Sequence, residues 1–151
     1  MSRAQIKEGI YSTLLARTDL FTLLGPVTAQ CRRVYNGWPQ TQPKLSGTEP
    51  DEGWCIFYEE QTVTPREITY EDVYYDFHFF VTRLSLAEDC IDIIDDIWNW
   101  KIAGQNSLFY GERLVIYSRR IHLVEGFDEE THLYHKVARV LMRMVKSPFS
   151  S

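Results

Sequence analysis

The sequence predicts an α+β domain, with an antiparallel sheet of about four to five strands and two helices packed on one face. Three observations lead there. Alternating apolar and polar residues, clearest from Val73 to Val81, have the period of strands. Two stretches, Ser2–Leu24 and Ser85–Gly104, carry apolar residues at helical spacing. The predicted strands are separated by turn signals, as antiparallel neighbours require.

The length of 151 residues suits a single domain, residues 1–151. Hydrophobic residues make up 44% and charged residues 25%, which excludes a disordered chain, a rod and a disulfide scaffold. Aromatic residues reach 14%, enough for a thick core or for surfaces that partners cover. Cys31, Cys55 and Cys90 lack metal-ligand spacing and are expected to be reduced and buried. No run of 18 apolar residues exists and the N-terminal residues lack a signal-peptide pattern, so no membrane is expected and the chain reads as cytosolic or assembled from the cytosol. The net charge of −5 argues against non-specific nucleic-acid binding as the main role. From Thr131 onward, however, Lys136, Arg139, Arg143 and Lys146 stand without an acid. A basic end on an acidic body can steer docking.

Ile6, Ile10, Leu14, Leu20, Phe21 and Leu24 predict one N-terminal helix, with Ser2 as its cap and Gly25-Pro26 as its stop. Cys31–Tyr35 reads as a short strand and Asn36-Gly37 as a turn. Residues 38–52 hold three prolines and one glycine and read as an exposed loop without regular structure. Gly53–Val63 and Glu67–Leu84 predict an antiparallel hairpin broken at Thr64-Pro65, with an extended, charged portion over residues 59–74. Val73, Tyr75, Phe77, Phe79 and Val81 share one face of it, and the aromatic content of the other face predicts partial cover.

Ser85 with Glu88 predicts a capping box that starts the second helix, and Gly104 its end. Its stripe is Ala87, Ile91, Ile94 and Trp98. Asp89, Asp92, Asp95 and Asp96 face outward. Gln105–Gly111 reads as turn, Glu112–Val124 as a strand, and Gly126–Glu130 as an acidic turn. Leu133–Val145 fits strand and helix equally by periodicity.

Nucleophile elbows, phosphate-binding loops and zinc-protease motifs are absent from the sequence. The four aspartates of the second helix superficially suggest magnesium, but no phosphate-binding partner lies near them in sequence, and a solvated helix face is the plainer reading. His132 and His135 could share a metal on a helix, but on a strand they would point to opposite faces. Asp76 and His78 share a strand face and could form an acid–base pair, although nothing marks a nucleophile. No catalytic residue, cofactor or metal site is assigned. Arg119, Arg120, Lys136, Arg139 and Arg143 could meet phosphates or the carboxylates of a neighbouring subunit, because guanidinium forks suit both. Asp89, Asp92 and Asp96 are carboxylates of the second kind. Trp38 in the long loop, and Glu59, Glu60 and Arg66 in the hairpin, complete the candidate interface residues.

The segments IKEGIYSTLLARTDLFTLLG and RVYNGWPQ carry a resemblance. Leu14, Leu15, Leu20, Leu23, Leu24 and Gly25, then Arg33, Val34, Tyr35, Asn36 and Gly37, resemble the start of tail-terminator, or tail-completion, proteins of long-tailed bacteriophages. The later order of elements is similar too, ending in LYHKVARVLMRM with Tyr134 and His135. The resemblance implies a non-enzymatic structural protein of the virion tail or neck, assembled in the host cytoplasm. It implies a homo-hexameric ring that ends the tail tube and joins it to the head connector. DNA would pass through the lumen without specific binding. The partners would be further copies of the chain, the tail tube protein and a head-completion or connector protein. It also implies a strand for the last segment. The loop 38–52 and the hairpin 59–74 depart from the family pattern and would be contacts particular to this lineage. Two other readings stay beside it: a nucleic-acid-binding accessory protein using the five cations, and a small enzyme or ligand-binding domain with a cleft near Asp76 and His78.

Overall fold

The computed structural model describes residues 3–47, 49–63, 70–106 and 108–146. In chain order the elements are α1 (Arg3–Leu15), α2 (Thr18–Leu24), β1 (Val34–Asn36), β2 (Gly53–Val63), β3 (Glu71–Val81), α3 (Leu84–Trp98), β4 (Leu108–Tyr110), β5 (Arg113–Asp128) and β6 (Leu133–Lys146). The strands form one six-stranded sheet in the order β1-β2-β3-β6-β5-β4. β1 runs parallel to β2, and the other pairs are antiparallel. The expected antiparallel sheet of four to five strands with two helices is therefore corrected to a mixed sheet of six strands with three helices.

Each difference has a local cause. The N-terminal helix breaks at Ala16-Arg17 because its apolar stripe changes phase. Ile6, Ile10 and Leu14 are four residues apart, but Leu20 follows Leu14 by six, which at 100° per residue lies about 120° off the stripe. Two helices with a tight turn bury these four side chains and Leu24. Arg17 closes the turn, bonding Asp19 and, at 2.8 Å, Asp96 of α3. The expected Ser2 cap lies outside the described residues, while Gly25 ends α2 as expected, at φ 106°.

The parallel pair arises because the chain leaves β1 at Asn36 and must return to the same end of the sheet to begin β2. On that return, over residues 37–52, Trp38, Pro39 and Pro43 lie against the face opposite the helices, and Glu49 and Asp51 come beside α2. The segment is irregular as expected, but not wholly exposed, since Pro43 and Glu52 are buried.

β4 lies where only turn was expected. Tyr110 holds it there, with its ring lying on Gly9 of α1, so that a Cβ added at Gly9 would stand 2.3 Å from the ring. Its hydroxyl bonds Thr13 and the Trp98 indole N–H, each at 3.2 Å. Gly9→Ala is therefore expected to destabilise the fold by about 1–3 kcal/mol through overpacking, against the small gain an alanine brings to an isolated helix. Chemical denaturation of the variant would measure it.

α3 starts one residue before the expected capping box. Ser85 accepts a hydrogen bond from Arg83, which also holds Asp51 with both fork nitrogens, and no side chain caps the helix N-terminus. The helix ends at Trp98 rather than at Gly104, because Trp100 turns into the core. There its indole donates to the Ile97 carbonyl at 2.7 Å and its backbone N–H to Ser118 at 2.9 Å. β5 extends through the expected acidic turn to Asp128. It carries bulges at Ile116 and Ile121, so Val115 and Ser118, which a regular strand would place on opposite faces, both turn inward. The last segment is a strand.

All three helices cover one sheet face. The core between the layers joins Val73, Tyr75, Phe77, Phe79 and Val81 of β3 to the α3 stripe, to Ile6, Ile10 and Leu14, and to Ala138, Val140, Met142 and Met144 of β6. Phe77 stacks on Trp98 at 4.8 Å between ring centroids. A smaller cluster of Cys31, Trp54, Ile56, Phe80 and Leu133 lies apart from this core, with Tyr35, Leu45 and Tyr58 against it. The cysteines are free and buried as expected. Burial pushes the Cys90 thiol up to about 12 and the Cys55 thiol well above its usual range, so neither is a reactive thiolate.

Candidate functional site

The sheet face opposite the helices carries two ordered rows of side chains. Strand register aligns Trp54, Phe80 and His135 across β2, β3 and β6. They form a continuous stack, with Trp54 on Phe80 at 4.3 Å and Phe80 on His135 at 4.2 Å between centroids. Trp38 stands edge-on over it, 6.2 Å from Phe80 and 5.4 Å from His78. Beneath Trp38 runs a hydrogen-bonded chain. The Tyr58 hydroxyl lies 2.9 Å from His78 Nε2, and His78 Nδ1 lies 2.7 Å from His135 Nε2. Burial and the neighbouring His135 push His78 down to about 4, and burial also lowers His135. Both imidazoles are thus neutral at pH 7, which lets one N–H serve each link of the chain.

Further along the same face, the register sets Asp76 against Arg139 and Asp72 against Arg143. Both pairs are bidentate, with contacts of 2.8–3.1 Å, and the Arg143 guanidinium also lies 4.2 Å above the Tyr70 ring. Asp76 is thus bound by Arg139, while His78 bonds Tyr58 and His135. The two do not form the acid–base pair that their spacing allowed.

The other sequence-predicted residues are spread over the molecule. Asp89, Asp92 and Asp96 are exposed on α3, where Asp96 receives Arg17. Arg120 grips Asp95 at 2.7 and 3.2 Å, tying β5 to α3. Lys136 is buried, 3.6 Å from Glu125 and 4.0 Å from Glu88. Arg119 is exposed on β5. Glu59 bonds Thr62 beside the β2 bulge, and Glu60 is exposed at the bulge itself. Arg66 lies outside the described residues. His132 and His135 sit on the same strand end without converging: His132 is exposed, near Phe127, and His135 belongs to the stack. Among the described residues no group of three or more His, Cys, Asp or Glu side chains could hold a metal ion.

Sequence reasoning missed two arrangements. The first is a buried ion pair. Arg33, at φ 71°, donates to the Pro26 and Gly53 carbonyls and to Glu52 at 2.9–3.1 Å. Glu52 accepts in addition from the Ser46 N–H and hydroxyl and the Gly47 N–H. Burial pushes the Glu52 carboxyl up, but the bonds from Gly47, Ser46 and Arg33 outweigh it and hold the carboxyl below its usual range. This pair anchors the long loop to the sheet. The second is the open tip of β5. The chain after α3 covers the outer edge of β5 through Gly104 N–H to Ile116, Trp100 N–H to Ser118, and Asn99 to the Arg120 N–H. Beyond Arg120 no described residue pairs with that edge. Ile121, Leu123, Val124 and Phe127 are exposed there by 37–49%. An unpaired strand edge with an apolar surface is a template for another chain. The run Ile121–Phe127 pairs with β6 along its other edge, and in sequence it shows only its apolar residues, with nothing to mark the outer edge as open.

No protein-family model and no curated protein matches the chain. Among solved structures, the fold is similar to a chain of the "Virion of native gene transfer agent (GTA) particle", with a TM-score of 0.62 and 15% sequence identity. The match covers 93% of this chain and 94% of that one, so the two share a fold over almost their whole length.

Proposed function

We propose that this chain is a structural subunit of a phage-like particle. Copies form a hexameric ring at the head-proximal end of the tail, end the tail tube and join it to the head connector, and DNA passes through the lumen without specific binding. The observation that carries the reading is the shared fold, end to end, with a chain from a virion particle. The open β5 tip supports assembly, because it offers an apolar strip beside the exposed cation Arg119. Asp89 and Asp92 on α3 are a second, different patch. Two unlike patches on one chain make a head-to-tail contact, and such contacts close into rings when the rotation permits. Trp38, Glu59 and Glu60 are the proposed contacts to the tube or connector. Of the five cations of the nucleic-acid reading, Arg120, Lys136, Arg139 and Arg143 each have a carboxylate partner within the chain, which leaves Arg119 exposed on β5.

Native mass spectrometry over a concentration series tests the proposal. The wild-type chain is expected to yield a discrete hexamer, alone or on added tail tubes. The double variant Leu123→Lys, Val124→Lys is expected to stay monomeric with an unchanged circular dichroism spectrum. A wild-type chain that remains monomeric at every concentration, with and without tubes, would overturn it.

A further inference from the structure

A cleft of about 330 Å³ opens beside the aromatic stack. Trp38, Pro39 and Pro43 of the long loop form one side, Trp54 and Phe80 of the sheet form the floor, and Asp128 at the end of β5 stands at the rim. Trp38 is more than half exposed although its edge is seated on the stack. Asp128 accepts the Glu130 N–H at 3.0 Å, which orients its carboxylate, and no arginine or lysine among the described residues pairs with it. The buried indole N–H of Trp54 has no acceptor among the described residues.

We infer that this cleft binds an arginine side chain presented by a partner protein. Phe80 is sandwiched between Trp54 and His135, so the free ring face is that of Trp38. A planar guanidinium stacks on this indole and bonds the Asp128 carboxylate with its fork, so one group satisfies both sides of the cleft. An aliphatic side chain would leave Asp128 without a counter-charge, and an anion would be repelled by it. Glu129 and Glu130, exposed beside the rim, add to the attraction for a cation. The inference does not depend on ring formation, since a single chain carries the whole cleft.

The test uses the indole N–H resonances of the full-length protein, assigned with Trp→Phe variants. The probes are acetyl-arginine methylamide and the neutral isostere acetyl-citrulline methylamide. Saturable shifts of the Trp38 and Trp54 signals are expected with the arginine probe, with the citrulline probe at least about tenfold weaker, the scale of a partly desolvated cation–π contact with a charged partner. Asp128→Asn is expected to reduce the arginine probe to the citrulline level. Trp38→Ala is expected to weaken it while the Trp54 signal still reports a folded chain. Equal binding of the two probes, no shift with either, or an unchanged affinity in Asp128→Asn would each overturn the inference.

Discussion

Glu52→Ala is expected to be among the most damaging single substitutions in this protein, at about 3–5 kcal/mol of folding free energy, because it leaves the Arg33 guanidinium buried without its counter-charge. The loss extends beyond one ion pair. Glu52 also collects the N–H groups of Ser46 and Gly47, so the long loop loses its attachment to the sheet with the same change. Arg33→Met is expected to cost a similar amount for the reciprocal reason. Combining the two should cost clearly less than their sum, since neither charge is then left alone in the interior. Equilibrium denaturation of the four-protein cycle reads this directly. If Glu52→Ala cost less than about 1 kcal/mol, the pair would be no more than a surface salt bridge in effect. The depressed Glu52 carboxyl adds a sign. Its contribution is complete above the unfolded value of 4.5 and is lost as the pH falls through the lower folded value.

The second large effect is an acid sensitivity that begins at higher pH. His78 is held at about 4 in the folded protein against 6.5 when unfolded, so between those values the unfolded chain binds the proton and the folded chain does not. Stability is therefore full above about pH 6.5, declines as pH falls toward 4, and loses about 3 kcal/mol over that window from His78 alone. His135 shifts in the same direction and steepens the decline. The groups around His78 explain the sense. Tyr58 and His135 bond a neutral ring, Trp38 and Phe80 cover it, and the nearby Asp76, which would favour a cation, is already held by Arg139. Denaturation midpoints at a series of pH values should show the slope, and His78→Gln should flatten it. A ring-proton titration that placed His78 near 6.5 would refute the account.

Much of the fold is legible in single segments. The alternation of Val73–Val81 places five side chains against the helices and leaves Asp72, Tyr74, Asp76, His78 and Phe80 for the other face. The stripe through Ala87, Ile91, Ile94 and Trp98 orients α3 over the sheet. Even the break between α1 and α2 is written in the phase of Leu14 against Leu20, although a reader who counts leucines misses it.

The candidate site is far less legible, because it depends on which strands become neighbours. His78 and Asp76 look like a pair when only their spacing is seen, yet each takes its partner from β6. Arg120, Arg139 and Arg143 look like free cations until β5 and β6 bring them to Asp95, Asp76 and Asp72. Trp38 is only an aromatic residue in a proline-rich loop until the parallel β1–β2 pair sends that loop back across the stack of Trp54, Phe80 and His135.

What the sequence determined alone is whatever repeats within a few residues: the helical stripes, the period of the strands, the glycine that ends α2 and the absence of clustered thiols. The tertiary structure alone decided the strand order, the parallel pair, the seating of Tyr110 on Gly9, the burial of Arg33 with Glu52, and the cleft under Trp38. The reason is physical. Periodicity is a property of one element against an undifferentiated core. The partner of a charge, a hydrogen-bond donor or an aromatic ring is fixed only when distant segments meet, at a register that no single segment encodes.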